Sequence, residues 1–589
     1  MKLRTGLVLG TTVALALGMT ACGDGGSGKN GTDSKSTSAE FNAGSKGIVN
    51  ASDKKGGTLR FGHISDPDSL DPTRIYYASG QNFMRSFYNR TLLTPDSKPG
   101  QDGLKLVPDM AEAMPEISAD KLTYTFKLKD GIKFEDGTPV TSKDVKYAIE
   151  RTFAQDVLSG GPTYLIDQLD QGQNYPGPYK DKDPDKLGLK SVQTPDDKTI
   201  VFKLAKPFAD FLYLLPMAAG AVPRAKDTGA KYSDHVISTG PYMFETVDPG
   251  KKITMVRNPN WDRNTDPVRK ALPDRIEMTL QMQPDELDKQ LLDGSLDLDF
   301  GQTGVQQAAQ AKVLLDKNLK KNADEPVTGF IRYFTISTKV APFDNIHCRR
   351  AVQYAADKVA LQTARGGADA GGDIATNMLP PNIAGHDPNL DPFGSKQGKP
   401  QIDKAKQELA ACGKPNGFET KIAVRNKGKE PKTAEALQQA LAQVGIKATV
   451  DQSDASLYFR STIGSPDNVH KKGYGIMTAG WGADFPTGTG FLQVLVDGRL
   501  IHPSGNNNYA ELNDPEINGL IDQATAESDP AKAAELWKQI NAKVMDTATQ
   551  LPFVYDKALN YRNPRLTNVY VYSYFGEWDF GSLGVSDGK

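Results

Sequence analysis

Cysteine is almost missing from this chain: there are three in 589 residues. No two of them form a C-x-x-C pair. The six histidines (His63, His235, His347, His386, His470 and His502) lie far apart and make no H-x-H or H-x-x-x-H pair. Local spacing therefore offers no zinc or nickel ligand set, and no metal or other cofactor is expected. An excess of either charge is missing too. Seventy Lys and Arg stand against 72 Asp and Glu, so there is no basic footprint for nucleic acid. No G-x-S-x-G elbow and no H-E-x-x-H occurs, which argues against a secreted hydrolase. Cys348 has His347 and two arginines beside it, but adjacency in sequence is not geometry. No hydrophobic run reaches the roughly 20 residues needed to span a bilayer.

What is present begins at the front. Lys2 and Arg4 head an apolar or small-residue run from Gly6 to Leu17, which reads as a signal peptide over residues 1–21. Met19-Thr20-Ala21 follows, and then Cys22. This stretch resembles a bacterial lipobox, with Met19 where Leu is usual. The resemblance implies cleavage before Cys22 and a diacylglyceryl group on its sulfur. Two acyl chains are about the minimum for stable anchoring, so the expected location is the outer face of the cell membrane. The tract from Gly23 to Lys55 is rich in Gly, Ser, Lys, Asn and Thr. With Cys22 it reads as a tether over residues 22–55, with a span of about 30 Å. Within it, "GDGGSGK" imitates a phosphate-binding loop, but Asn30 stands where Ser or Thr is required and no strand precedes it. With Cys22 carrying lipid, Cys348 and Cys412 remain. Outside the cytoplasm two such thiols often pair; the alternative is two buried free thiols.

The body after the tether exceeds 530 residues, too many for one simple core. Its patterning is mixed α/β. Leu122, Tyr124, Phe126 and Leu128 alternate as a half-buried strand. Asp130-Gly131 signals a turn, Ile132 and Phe134 resume the alternation, and a hairpin is expected. Thr141 and Asp144 then make a capping-box pair ahead of a helix carrying Val145, Ala148, Ile149 and Phe153. Phe418–Asn426 reads as a strand, Thr433–Val444 as a helix stopped by Gly445, and Ile446–Val450 as a second strand. That is a βαβ unit with parallel strands. Asp529-Pro530 starts a late helix with Ala533, Leu536, Ile540 and Val544 on its apolar stripe.

Four stretches carry a family resemblance: "TYTFKLKDGIKFEDGTPVTSKDVKYAIERT" (Thr123 to Thr152), "STGPYMFETVDPGKKITMVRNPNW" (Ser238 to Trp261), "PFDNIHCRRAVQYAADK" (Pro342 to Lys358) and "GWGADFPTGTGFL" (Gly480 to Leu492). In this order they resemble the solute-binding lipoproteins of bacterial ABC importers, family 5, the peptide and nickel branch. The resemblance spans residues 56 to 575. It implies a two-lobed periplasmic-binding-protein-like α/β fold (type II, cluster C) with an extra domain in the first lobe. Residues 56–95, 232–325 and 548–589 would form lobe 1, residues 96–231 the extra domain and residues 326–547 lobe 2. The chain would cross between lobes near 326 and 547.

The resemblance also implies a function. Relatives that bind peptides hold the ligand's free amino group with an acidic residue of the "GWxxD" segment, and the matching position is Asp484. Trp481, Phe485, Tyr76 and Tyr77 are expected to approach the ligand beside it. In a drying cleft a carboxylate and an ammonium form a charge-assisted hydrogen bond. The implied partners are a peptide and the importer's permease, with the protein a monomer. Many relatives carry an acidic-Pro or Asp-Pro pair after the aspartate, where this chain reads "FPTGTG". Another solute, an oligosaccharide or a metal chelate, stays open as the ligand class.

Overall fold

The computed structural model describes residues 36–37, 39–158, 160–454, 457–503 and 505–588. The expected signal peptide and Cys22 lie outside the described residues. Alternation builds the first lobe. In the strand Thr58–Gly62, Leu59 and Phe61 are fully buried. This strand pairs in parallel with Arg275–Thr279 on one side and Leu298–Asp299 on the other. The antiparallel strands Lys252–Arg257 and Tyr242–Asp248 complete a five-stranded sheet.

The second lobe holds a six-stranded sheet in the order Asp373–Ile374, Gln550–Lys557, Val327–Ile336, Tyr474–Gly482, Glu419–Arg425 and Lys447–Ser453. The expected βαβ unit is here. Glu419–Arg425 pairs in parallel with Lys447–Ser453, and the helix between them is Glu430–Ala442. It starts three residues before Thr433, because Pro431 is tolerated in a first turn. Gly445 takes φ 86°, the left-handed turn that ends the helix run. One side of this sheet packs Phe334, Ile422 and Leu437; the other packs Tyr333, Met477 and Trp537.

The extra domain is a four-stranded antiparallel sheet of Glu116–Ile117, Thr123–Lys127, Thr199–Lys203 and Val192–Gln193. The expected hairpin is not made. Thr123–Lys127 pairs with Thr199–Lys203, while Lys133 only bridges Pro139 across its own tight turn. Ile132 and Phe134 still point inward, at 5% and 1% exposure, so the alternation reported burial and not pairing. Thr141 does start the helix Ser142–Arg151, with its N–H and hydroxyl both donating to Asp144 Oδ2.

This domain shares one apolar core with the first lobe, running from Phe61 and Phe83 to Phe126 and Phe202. A buried ionic cluster welds the two together. Asp109 accepts from Arg90 Nε and Arg269 Nη2 at 2.8 Å each, and Arg269 also reaches Asp266 at 2.9 Å. The two guanidiniums overcome the burial cost and hold the Asp109 carboxyl well below the usual range.

Two expected boundaries move. The strand Gln550–Lys557, assigned to the first lobe from sequence, lies inside the second sheet between Val327–Ile336 and Asp373–Ile374. The return crossing therefore falls after Lys557, where Asn560–Tyr561 pairs antiparallel with Ala323–Asp324. The expected tether also ends early. Ala43–Lys46 is a short helix, and Val49 pairs with Val569 through two backbone hydrogen bonds. Ala43 and Val49 are fully buried, and Phe41 packs on a small cluster with Val313 and Leu559. These apolar residues were hidden in the polar average of the tract.

This amino-terminal segment grips the crossing strands. Asn42 N–H donates to Ala323 O at 3.0 Å, and Asn42 Oδ1 accepts from Glu325 N–H at 2.7 Å. Gly44 N–H donates to Asp324 Oδ1 at 2.9 Å. The buried Asp324 carboxylate also takes Arg562 at 2.5 Å and the Trp578 indole N–H at 3.1 Å.

Candidate functional site

Strand Tyr474–Gly482 delivers the second lobe's contribution. Trp481 lies near its carboxyl end, and the chain leaves the sheet into the loop that holds Asp484. Asp484 N–H donates to Gly490 O at 3.0 Å and closes that loop. Gly488 lies flat against Trp537; a Cβ there would sit 2.1 Å from the indole Cγ. Only glycine permits that approach, so the loop's position is set by second-lobe packing.

The first lobe supplies Tyr76. Asp68 Oδ2 accepts from the N–H groups of both Tyr76 and Tyr77, at 2.7 and 3.2 Å, and fixes the backbone ahead of helix Ala78–Phe87. The Tyr76 hydroxyl donates to Asp484 Oδ2 at 3.0 Å. The extra domain supplies Tyr164, the first residue of helix Tyr164–Leu169, whose hydroxyl donates to the same oxygen. Burial pushes the Asp484 carboxyl up to about 6, against the two tyrosine hydrogen bonds, which pull it down. Among the described residues no lysine, arginine or histidine pairs with it. A partly buried carboxylate held by neutral donors alone is poised to accept a cation.

Three further contacts join the same surfaces. Thr487 Oγ1 donates to Asp210 Oδ2 at 2.9 Å, Ala209 N–H donates to Thr525 O at 2.9 Å, and Lys121 Nζ reaches Ser528 Oγ at 2.6 Å. Phe485 is 1% exposed and stands in the first lobe's apolar core. Its ring stacks on Tyr213 at 6.1 Å and meets the edge of Tyr164 at 5.5 Å. Phe485 is thus a plug between lobes.

The other expected residues separate. Trp481 is half-buried against the second lobe's core, and its indole N–H is buried without a partner among the described residues. Tyr77 is 69% exposed and only its backbone is engaged. The sulfurs of Cys348 and Cys412 are joined, with their Cα atoms 5.3 Å apart. They link helices Ile346–Ala355 and Ile402–Ala411, beside a His347–Glu408 contact of 2.7 Å. No group of three or more His, Cys, Asp or Glu is arranged to hold a metal among the described residues.

Sequence reasoning missed Tyr164, Tyr213 and Tyr574. The Tyr574 hydroxyl is buried without a partner among the described residues, and burial above all keeps it protonated. Also missed was a basic cluster at the same sheet end as Trp481. Arg332 sits opposite Gly480 and pairs with Asp556 at 2.6 Å. Arg365 leans on the same carboxylate at 3.4 Å, with its Nε unpartnered. Arg425, at its own strand end, grips Glu430 at 2.5 Å, and Lys429 adds a fourth cation. The one readable signal was charge at strand ends, where open α/β sheets place their ligands.

Two α/β lobes closing over one carboxylate define a clamshell solute-binding protein. The sequence model of the bacterial extracellular solute-binding proteins, family 5 (Middle), matches residues 105–502, and the chain belongs to that family. It is similar to the solved "Clavulanic acid biosynthesis oligopeptide binding protein 2", at 46% identity over 93% of this chain and 99% of that one, with a TM-score of 0.89. It is 28% identical to heme-binding protein A of Haemophilus influenzae, over 87% of this chain and 88% of that protein. It is 25% identical to the oligopeptide-binding protein OppA of Bacillus subtilis, over 91% of each. Among the described residues no helix is long and apolar enough to cross a membrane.

Proposed function

We propose that the protein captures oligopeptides between its lobes and delivers them to an ABC importer, from a membrane face to which Cys22 anchors it. The carrying observation is Asp484, a partly buried carboxylate pushed up to about 6, with two tyrosine hydroxyls and, among the described residues, no protein cation against it. A peptide's ammonium would replace tyrosine donors at this oxygen, or use the second oxygen beside them. The unpartnered Tyr574 hydroxyl and Trp481 indole N–H are further polar groups for the ligand's first residue. The basic cluster of Arg332, Arg365, Arg425 and Lys429, with Asp556 and Glu430 paired against it among the described residues, suits the far carboxylate of the same peptide. Backbone pairing between these two charges would tolerate many side chains. Two of the relatives above are named for oligopeptides, which supports this class. The Met19-Thr20-Ala21-Cys22 stretch supports the anchor.

Calorimetric titration tests the reading. Peptides with free termini should bind and raise the melting temperature. Binding of heme or an oligosaccharide in their place would overturn the peptide assignment and leave the family intact.

A further inference from the structure

A knob projects from the first lobe where the amino-terminal segment meets it. Helix Gln307–Leu315 runs directly into Lys317–Lys320. Between them Asp316 accepts from the N–H groups of Asn318 and Leu319, at 2.7 and 3.4 Å, so its carboxylate is taken up in capping. Leu315, at the joint, is 86% exposed, more than any other large apolar side chain described. Lys312, Lys317 and Lys321 stand exposed around it. Lys320 Nζ lies 4.7 Å above the ring of Phe41. None of these four lysines pairs with a carboxylate among the described residues, and nearby Glu40 is already bonded to Lys46 at 2.8 Å. Residues 312–321 thus carry four cations against one anion, with a bare leucine at the centre.

The position of the chain gives the knob an occupant. Phe41 packs on this knob, and Ser36, where the described chain begins, is fourteen residues from Cys22. A Gly/Ser-rich stretch of that length spans about 20 Å. We propose that the knob rests on the anionic headgroup surface of the membrane that holds the anchor, with the lysines over the lipid phosphates and Leu315 dipping among them. This rests on the lipoprotein reading of Cys22. Each lysine held near such a surface is worth roughly a fivefold gain in binding, lost beyond a Debye length of about 10 Å. The knob would then fix which face of the body looks at the membrane.

The test uses the mature chain carrying Cys22→Ser, so that no lipid contributes. Co-sedimentation with phosphatidylglycerol/phosphatidylcholine vesicles is compared with phosphatidylcholine alone. Binding to the anionic vesicles only, at least tenfold weaker in Lys312→Gln/Lys317→Gln/Lys321→Gln and weaker in Leu315→Asp, is the expected result, with melting temperatures unchanged. Equal binding to both vesicles, no binding to either, or no loss in the variants would overturn it. Retention by the importer's permease with none by vesicles would also overturn it, in favour of a protein partner. The anchor is read separately, from the acyl mass on Cys22 of the unmodified chain; its absence would sink the lipoprotein reading and leave the vesicle result interpretable.

Discussion

The hydroxyl of Tyr76, on the first lobe, donates to the carboxylate of Asp484, on the second, across 3.0 Å. A neutral donor thus occupies one oxygen of the proposed cation site, and a ligand's ammonium would displace it or share the carboxylate with it. Each consequence is measurable.

Asp484→Asn should weaken peptides with a free amino terminus by about 100-fold or more, because breaking a buried charge pair costs about 3–5 kcal/mol. Amino-acetylated peptides should change by less than about threefold. Titration of both peptide sets into both proteins gives the comparison, and an equal loss for the two sets would remove the anchoring role.

Affinity should depend on pH through the same group. The ligand-free carboxyl titrates near 6, and a bound ammonium pulls its pKa below that value. The complex therefore binds fewer protons than the free protein in this window. Affinity should be greatest near pH 7, where the peptide's ammonium is still protonated, and fall up to tenfold per unit below about 6. It should level out once pH passes below the pKa of the complex. Asp484→Asn should give a flat profile, measured by titration at several pH values.

Tyr76→Phe removes the cross-lobe donor without changing the ring. A hydrogen bond to a charged group contributes about 1.5–3 kcal/mol, so the closed-to-open ratio of the ligand-free protein should fall by about tenfold or more. Solution scattering should give a larger radius of gyration without peptide and an unchanged one with it.

Gly44→Ala places a Cβ 2.7 Å from Asp324 Oδ2, a carboxylate already held by Arg562 and Trp578. With nowhere for that group to move, the substitution should cost about 1–3 kcal/mol. Hydrogen exchange should report it as faster opening of the amides in residues 43–49.

Replacing both Cys348 and Cys412 by Ser opens a link that spans 64 residues. Chain entropy then predicts a loss of about 4 kcal/mol. Urea unfolding of the variant, beside the oxidised parent, measures it.

Local order was legible where one residue type decides. Thr141 with Asp144, Asp529 ahead of Pro530, and Gly445 each mark a helix end by a hydrogen bond or dihedral that few residues supply. In the late helix, though, Trp537 and Met545 join the buried stripe, since a face wider than one row packs on the second sheet. Pairing partners were not legible. Nothing local in Gln550–Lys557 says which sheet takes it, and its apolar run from Leu551 to Tyr555 suits a central position in either. Asp484 could be singled out as a candidate because its motif is long, whereas Tyr164 and Tyr574 are single tyrosines placed near it only by the tertiary fold.

The grip of Asn42 and Gly44 on Ala323, Asp324 and Glu325 has a mechanical side. Any pull drawn through the amino-terminal chain enters the body at the pivot strands, where its lever arm about the opening axis is short. Were Cys22 anchored as proposed, bilayer undulations would shake the protein as a whole while exerting little torque on either lobe. The binding equilibrium of the protein held by its amino terminus should match that of the same protein free in solution.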